Sequence, residues 1–518
     1  MQYKIKGITA ALVASGVLLG SNPALANDSD ELEQLRALVQ ELDQKVKVLA
    51  RQSELTTEEA AAKKKDAPVV RASASGFGLE SADGKNVIKL RGLLQTDYRS
   101  FSSGLSGVGA ISSVAPTGFY PANEANDSFL LRRARPTVEG TLWGIYDYRF
   151  TGEFGDGKSE LIDAYIDARF KPWFQVRAGK FKPYVGLERL QSATDIKLIE
   201  RSYVTNDILP NRDLGLAVHG DLLDNKLNYA FGVMNGVADG GDASTTITPI
   251  NRRDYEARLF TTPFNDDYSA LSGLGFGIAA TYTDSTGTFN SSTGALSTSG
   301  LTSGYKTEGQ QTFFQYSSAT YEDGRRFRWA PQAYYYYGPF GLMAEYASES
   351  QEVNFNVPAS NKQVGVNQKT LNNDAWEITA SYLLTGEDAS FKSVKPKQNF
   401  DLDTGGWGAW ELVARYDQIN LDNDTFKNFG TGGALTSTRQ RYFADLRNSA
   451  KSAKTWVGGV NWYLNPNLRV ALNYEQTSFD GGAGSGNPNA SVANGATPTN
   501  VKDREDERAI FARFQIAY

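Results

Sequence analysis

The chain's densest set of residues able to do chemistry is one stretch, Trp173–Asp213, reading WFQVRAGKFKPYVGLERLQSATDIKLIERSYVTNDILPNRD. It carries Lys180, Lys182, Arg189, Lys197, Arg201 and Arg212 against Glu188, Asp195, Glu200, Asp207 and Asp213. Cations at this density hold oxyanions: a guanidinium offers a planar fork to two oxygens, an ammonium a point charge. Interleaved carboxylates pair with most of them, because charges drawn partly out of water need partners. Lys180 and Lys182 are the expected surplus facing an ion, since the nearest acid along the segment, Glu188, comes only after Pro183. The stretch starts as an alternating strand, breaks at Lys182-Pro183 and returns to alternation at Asp213, as a loop does that leaves a barrel wall and folds back into the bore.

Other chemistry finds little support. No cysteine excludes disulfides, thiol catalysis and cysteine metal sites, and a single histidine, His219, leaves no histidine metal cluster. The net charge of -6 argues against a nucleic-acid partner, which needs a basic surface. Paired carboxylates such as Asp163 and Asp167 sit among arginines on a polar strand face, with no cause for a raised pKa. The glycine-rich GGAGSGNPNA lacks the strand-and-helix context of a phosphate cradle. No catalytic residue, metal or cofactor is expected.

The elements that must position the charged stretch are strands. With 50 Gly, 26 Tyr and 27 Phe in 518 residues, the composition suits tight turns and long strands. Residues 1–26 read as an export signal: Lys4 and Lys6, an apolar run from Ile8 to Gly20, and Ala24-Leu25-Ala26 for cleavage. Over 27–62 the spacing of Leu32, Leu35, Val39, Leu42, Val46 and Leu49 is a heptad seam, predicting a coiled-coil helix in the periplasm. It is too short to associate alone, and valine at a with leucine at d leans toward two strands. A charged, alanine-rich linker over 63–84 follows.

From 85 to 518 the period becomes two. Ile88, Leu90, Leu94 and Tyr98 alternate with Lys89, Arg91, Gln95, Asp97 and Arg99. The pattern recurs about sixteen times, at roughly 87–100, 128–142, 146–155, 160–171, 173–180, 213–222, 226–235, 252–262, 274–285, 326–337, 339–349, 374–384, 408–420, 455–464, 467–478 and 507–518. Short turns alternate with long connections, and tyrosine and tryptophan gather beside the turns, at Trp143, Trp173, Tyr334–Tyr337, Trp462 and Tyr463. An apolar face, a charged face and alternating loop lengths predict an all-β, transmembrane antiparallel barrel of about 16 strands in contact with outer-membrane lipid, the segment 181–212 folding inward as a constriction loop. The connection 385–407 is anomalous, being long on the short-turn side; Lys306–Tyr316 reads as a further strand or part of a loop.

Alternation assigns Arg133, Arg135, Arg149, Arg177, Arg258 and Arg328 to the bore, with Arg91, Arg99, Arg169, Arg252, Arg326, Arg415, Arg469 and Arg513. Acids are as numerous there, so selectivity rests on how the signs are segregated: a stripe of one sign concentrates counter-ions where a checkerboard cancels.

Several segments together resemble the phosphate-selective porin O and P family: LLRRARPTVEG, the LIDAYI strand, GKFKPYVGLERLQSATDIKLIERS followed by LPNRDLG, GGWGAWELVARYDQINL and GVNWYLNPNLRVALNYEQ. The resemblance implies a homotrimer of sixteen-stranded barrels in the bacterial outer membrane, passing small anions such as phosphate by diffusion, with wall arginines and constriction lysines guiding the ion. Lys180, Lys182, Arg189, Arg201 and Arg212 become the expected constriction set. The dense run of alternate arginines is absent; Arg133/Arg135, Arg252 with Arg258, and Arg326/Arg328 are the nearest pieces. A general or cation-preferring channel, or a non-conducting barrel acting through surface loops, is the alternative.

Overall fold

The structure, a computed structural model, describes residues 28–73, 76–103, 127–246, 252–265, 269–290, 292, 294–356, 368–429, 441–485 and 492–518. The expected signal peptide, 1–26, lies outside them. Residues up to Ala67 and those from Pro68 onward form separate compact units. The first is a helix, α1 (Asp28–Asp66), of 39 residues and therefore roughly 58 Å long at 1.5 Å per residue. Its seam residues Leu32, Leu35, Val39, Leu42, Val46 and Leu49 are all exposed.

The second unit is a closed antiparallel barrel of 16 strands. Its first half comprises β3 (Val87–Ser103), β4 (Ser128–Leu142), β5 (Tyr146–Glu153), β6 (Glu160–Lys171), β7 (Phe174–Phe181), β8 (Asp213–Leu222), β9 (Leu227–Met234) and β10 (Asp254–Thr261). The second half is β11 (Leu274–Thr286), β12 (Thr320–Tyr337), β13 (Phe340–Phe355), β14 (Lys369–Leu383), β15 (Ala409–Asn420), β16 (Ala450–Asn465), β17 (Leu468–Ser485) and β18 (Glu507–Ala517). Each pairs with the next, and β18 closes on β3 through partners running from Ala517↔Leu93 to Arg508↔Ser103. Closure gives every wall strand a neighbour on both sides, a requirement in lipid, where an unpaired backbone group has no water to turn to. Outward positions such as Leu94, Phe150, Ile166, Leu259, Ile278, Leu472 and Phe514 are exposed apolar residues, as a lipid-facing surface demands.

The expected linker differs from the sequence reading. The helix runs on to Asp66, and 69–80 forms a hairpin, β1 (Val69–Ser73) and β2 (Gly76–Glu80). β2 pairs with Val87–Leu90 at the start of β3, below the point where β18 ends, and so covers an edge that closure leaves open. Lys306 does not extend the wall: Tyr305–Lys306 pairs only with Thr312–Phe314. Within the aromatic run, Tyr334 packs into an interior cluster with Leu187, and Tyr463 is 1% exposed with its hydroxyl on Glu411, so neither belongs to a lipid girdle.

The anomalous connection between β14 and β15 is ordered and turns into the bore. Ala389 N donates to Gly338 O at 2.7 Å and Phe400 N to Leu464 O at 2.7 Å, tying it to two neighbouring turns, while Phe391 packs on Tyr334. From the other end residues 305–316 turn inward, burying Tyr305, Phe313 and Phe314. Inward wall positions facing these segments are alanines, among them Ala279, Ala330, Ala347, Ala375 and Ala453, all at most 2% exposed. Small side chains there leave room for chain inside the barrel.

Candidate functional site

The constriction segment leaves the wall after Phe181, two residues beyond Gly179, whose φ of +130° lies outside the reach of other residues and where a Cβ would stand 2.2 Å from Ala164 O. Beyond Pro183 it forms one helical turn, Leu187–Leu190, and a wider turn, Val204–Ile208. Val185, Leu187, Ile196, Leu198, Ile199, Val204, Ile208 and Leu209 are each at most 2% exposed. At about 1.5–3 kcal/mol for each fully buried aliphatic side chain, this apolar face is what holds the loop inside the bore.

Ion pairs fix its polar face. Glu188 accepts Arg415 Nη1 at 3.1 Å and both the backbone N and hydroxyl of Ser202 at 3.0 Å. Glu200 takes the Arg132 fork at 2.7 and 3.0 Å and also pairs with Arg99. Burial alone would raise the Glu200 carboxyl; Arg132 and Arg99 hold it well below the ordinary carboxylate value. Lys197 pairs with Glu411 at 3.3 Å and Arg212 with Asp163 at 2.9 Å.

Between this loop and the wall lies a small polar cavity that opens to solvent. Seven cations line it: Arg132, Arg133 and Arg135 from β4, Lys158 from the connection between β5 and β6, and Arg189, Arg201 and Arg212 from the loop. Arg132, Arg135, Arg212 and Lys158 each have a carboxylate within 4.0 Å, namely Glu200, Glu153, Asp163 and Glu160. Among the described residues, Arg133, Arg189 and Arg201 have none; their bonds go to Gln95 Oε1 at 2.7 Å, Thr205 O at 2.5 Å and Gln191 O at 3.1 Å. The Nε atoms of Arg133 and Arg189 are buried without a partner among the described residues. Lys182 shares Arg201's acceptor, its Nζ donating to Gln191 O at 2.7 Å. Burial and the positive charges of Arg201 and Arg212 disfavour the Lys182 ammonium, so that its charged form needs an anion beside it. An anion entering here would relieve a local excess of positive charge.

The structure therefore gathers Arg133, Arg135, Arg189, Arg201 and Arg212 into one cavity, with Lys182 beside them. Lys180 stands on β7 opposite Ala164 and Leu214, 3% exposed, and is not among the lining residues. Four of the assigned wall arginines lie elsewhere. Arg149 and Arg177 pair with Glu139 and Asp167. Arg258 bonds Gln332 and Asn228. Arg328, fully buried, has Asp239, Asp254 and Glu349 around it and serves the wall.

Arg132 is the lining residue that strict alternation misses. The β3–β4 register jumps from Gln95↔Arg133 to Thr96↔Leu131, leaving Arg132 as the extra residue of a bulge. A bulge turns two successive side chains away from simple alternation, so both Arg132 and Arg133 reach the cavity. A charged residue falling where the pattern calls for a lipid-facing one is the sign that could have announced it.

Comparison with known proteins agrees with this architecture. Residues 113–481 match the family "Phosphate-selective porin O and P". Porin O of Pseudomonas aeruginosa is 25% identical over 442 residues, covering 80% of this chain and 88% of that protein. An uncharacterized protein of Caulobacter vibrioides is 26% identical over 285 residues, 50% of this chain and 57% of its own. Among solved structures, the outer membrane channel DcaP of Acinetobacter baumannii aligns with a TM-score of 0.45 at 10% identity, over 86% of this chain and 100% of that one. With a closed sixteen-strand wall, a loop-narrowed bore and a family match across most of its length, the chain belongs to the phosphate-selective porin O and P family and is an outer-membrane porin.

Proposed function

We propose that the channel prefers small oxyanions, phosphate among them, and holds them in transit at the cavity formed by Arg133, Arg189 and Arg201 with Lys182 beside it. The observation that carries this is incomplete pairing: seven cations and four carboxylates, Glu153, Asp156, Glu160 and Asp242, line the cavity, and among the described residues three of its guanidiniums lack a carboxylate within 4.0 Å where the other four cations each have one. Guanidinium forks suit tetrahedral oxyanions, because each can give two parallel N–H bonds. The family's name points the same way. Reversal potential across a planar bilayer in a potassium chloride gradient tests it: anion preference, with phosphate blocking the chloride current, is expected, and cation preference would overturn it.

The assembled form in this reading is a homotrimer, with the α1 helices of the copies packing through the Leu32–Leu49 seam on the periplasmic side. Support comes from the exposure of that seam on an isolated helix, since an apolar stripe in water costs free energy until it is covered.

A further inference from the structure

The periplasmic connection between β14 and β15 meets the constriction loop at three polar contacts. Gln191 Nε2 donates to Phe391 O at 2.8 Å, Lys197 Nζ to Lys392 O at 3.2 Å, and Ser393 N to Asp195 Oδ1 at 3.1 Å. The ring of Phe391 stacks near Tyr334 of β12, centroids 5.5 Å apart, and joins the cluster around Leu187. The chain on either side is tied to neighbouring turns through Ala389 and Phe400. The connection is thus anchored to the wall and braced against the loop.

Of the three contacts, the one at Gln191 leads directly into the site. Its side chain, 3% exposed as a residue, reaches down to Phe391. Its own carbonyl oxygen accepts Lys182 Nζ at 2.7 Å and Arg201 Nη2 at 3.1 Å, two cations with no carboxylate partner among the described residues. A carbonyl dipole, unlike a carboxylate, orients a cation without neutralising it. The direction of both charges therefore depends on where the peptide of Gln191 sits, and that position is set from the periplasmic side.

We propose that Gln191 is a positioning residue: braced by Phe391 of the periplasmic connection, it aims Lys182 and Arg201 at the passing anion, so that this connection sets the affinity of the constriction from below. The inference rests on the anion-site reading above. Gln191→Leu keeps the backbone carbonyl and the approximate volume while removing the brace, and Phe391→Ala removes the ring that places the acceptor without touching a residue lining the cavity. Both are measured as full-length porins whose folded barrel is checked by heat-modifiable electrophoretic mobility.

In each variant the phosphate concentration that halves the chloride current should rise about 2- to 10-fold, the effect of losing one positioning hydrogen bond. Hydrogen exchange of peptides spanning 182–201 should also quicken. Unchanged exchange together with an unchanged half-blocking concentration would overturn the coupling. If phosphate blocks not even the parent channel, the anion site is refuted instead, and the exchange measurement still decides the brace.

Discussion

Substituting Arg133 by glutamine isolates the cavity's excess charge from its architecture. Arg133 is 4% exposed, bonds Gln95 Oε1 at 2.7 Å and has no carboxylate within 4.0 Å among the described residues. Glutamine can keep the contact with Gln95, so little folding stability is at stake. A cation about 4 Å from a monovalent anion contributes from ~1 kcal/mol at the dielectric of water to ~4 kcal/mol at an effective value of 20. The cavity is partly continuous with solvent, which favours the lower end. About 1–2 kcal/mol is about a 5- to 30-fold rise in the phosphate concentration that halves the chloride current.

The control is Arg328→Gln. That guanidinium is fully buried and has Asp239, Asp254 and Glu349 within 4.0 Å. Removing it strands buried carboxylates, at a cost of about 3–5 kcal/mol in stability, read as a lower temperature of heat-induced barrel unfolding. Channels that do fold should keep the parent's half-blocking concentration. Single-channel recording on both variants decides: an Arg133→Gln channel that phosphate blocks as well as the parent, or an Arg328→Gln channel with weakened block and normal stability, would refute the assignment of roles.

Neutralising Asp163 with asparagine frees Arg212 from its 2.9 Å partner and adds one net positive charge to the cavity. Phosphate block should then strengthen by a factor comparable to that lost at Arg133, and a weaker block would count against the charge argument. Deleting Asp28–Asp66 should leave single-channel conductance unchanged, because the barrel is a separate compact unit, while lowering the temperature at which oligomers dissociate in detergent. Oligomers of undiminished stability would remove the helix from assembly.

Closure, strand number and the inward loop were legible because a period of two with apolar and charged faces has few other solutions than a membrane barrel, and because loop length alternates with the side of the membrane. The hairpin over 69–80 was not legible, since five-residue strands amid charged residues carry little periodic signal and gain their reason only from the free edge of β3. Nor was the course of 385–407, whose inward turn depends on Phe391 finding Tyr334 and Leu187 across the bore.

At the site, residue types alone determined that arginines and lysines would face the channel. Which of them remain unneutralised was decided by tertiary structure, because pairing is a matter of distances across strands and not of spacing along one. Glu188, the acid nearest to Lys182 in the loop sequence, is spent on Arg415 from β15, and Glu200 on Arg132 and Arg99. Arg133, Arg189 and Arg201 are left over because the β4 bulge and the loop's apolar packing bring them together with no carboxylate within 4.0 Å among the described residues, although Asp242 also lines the cavity.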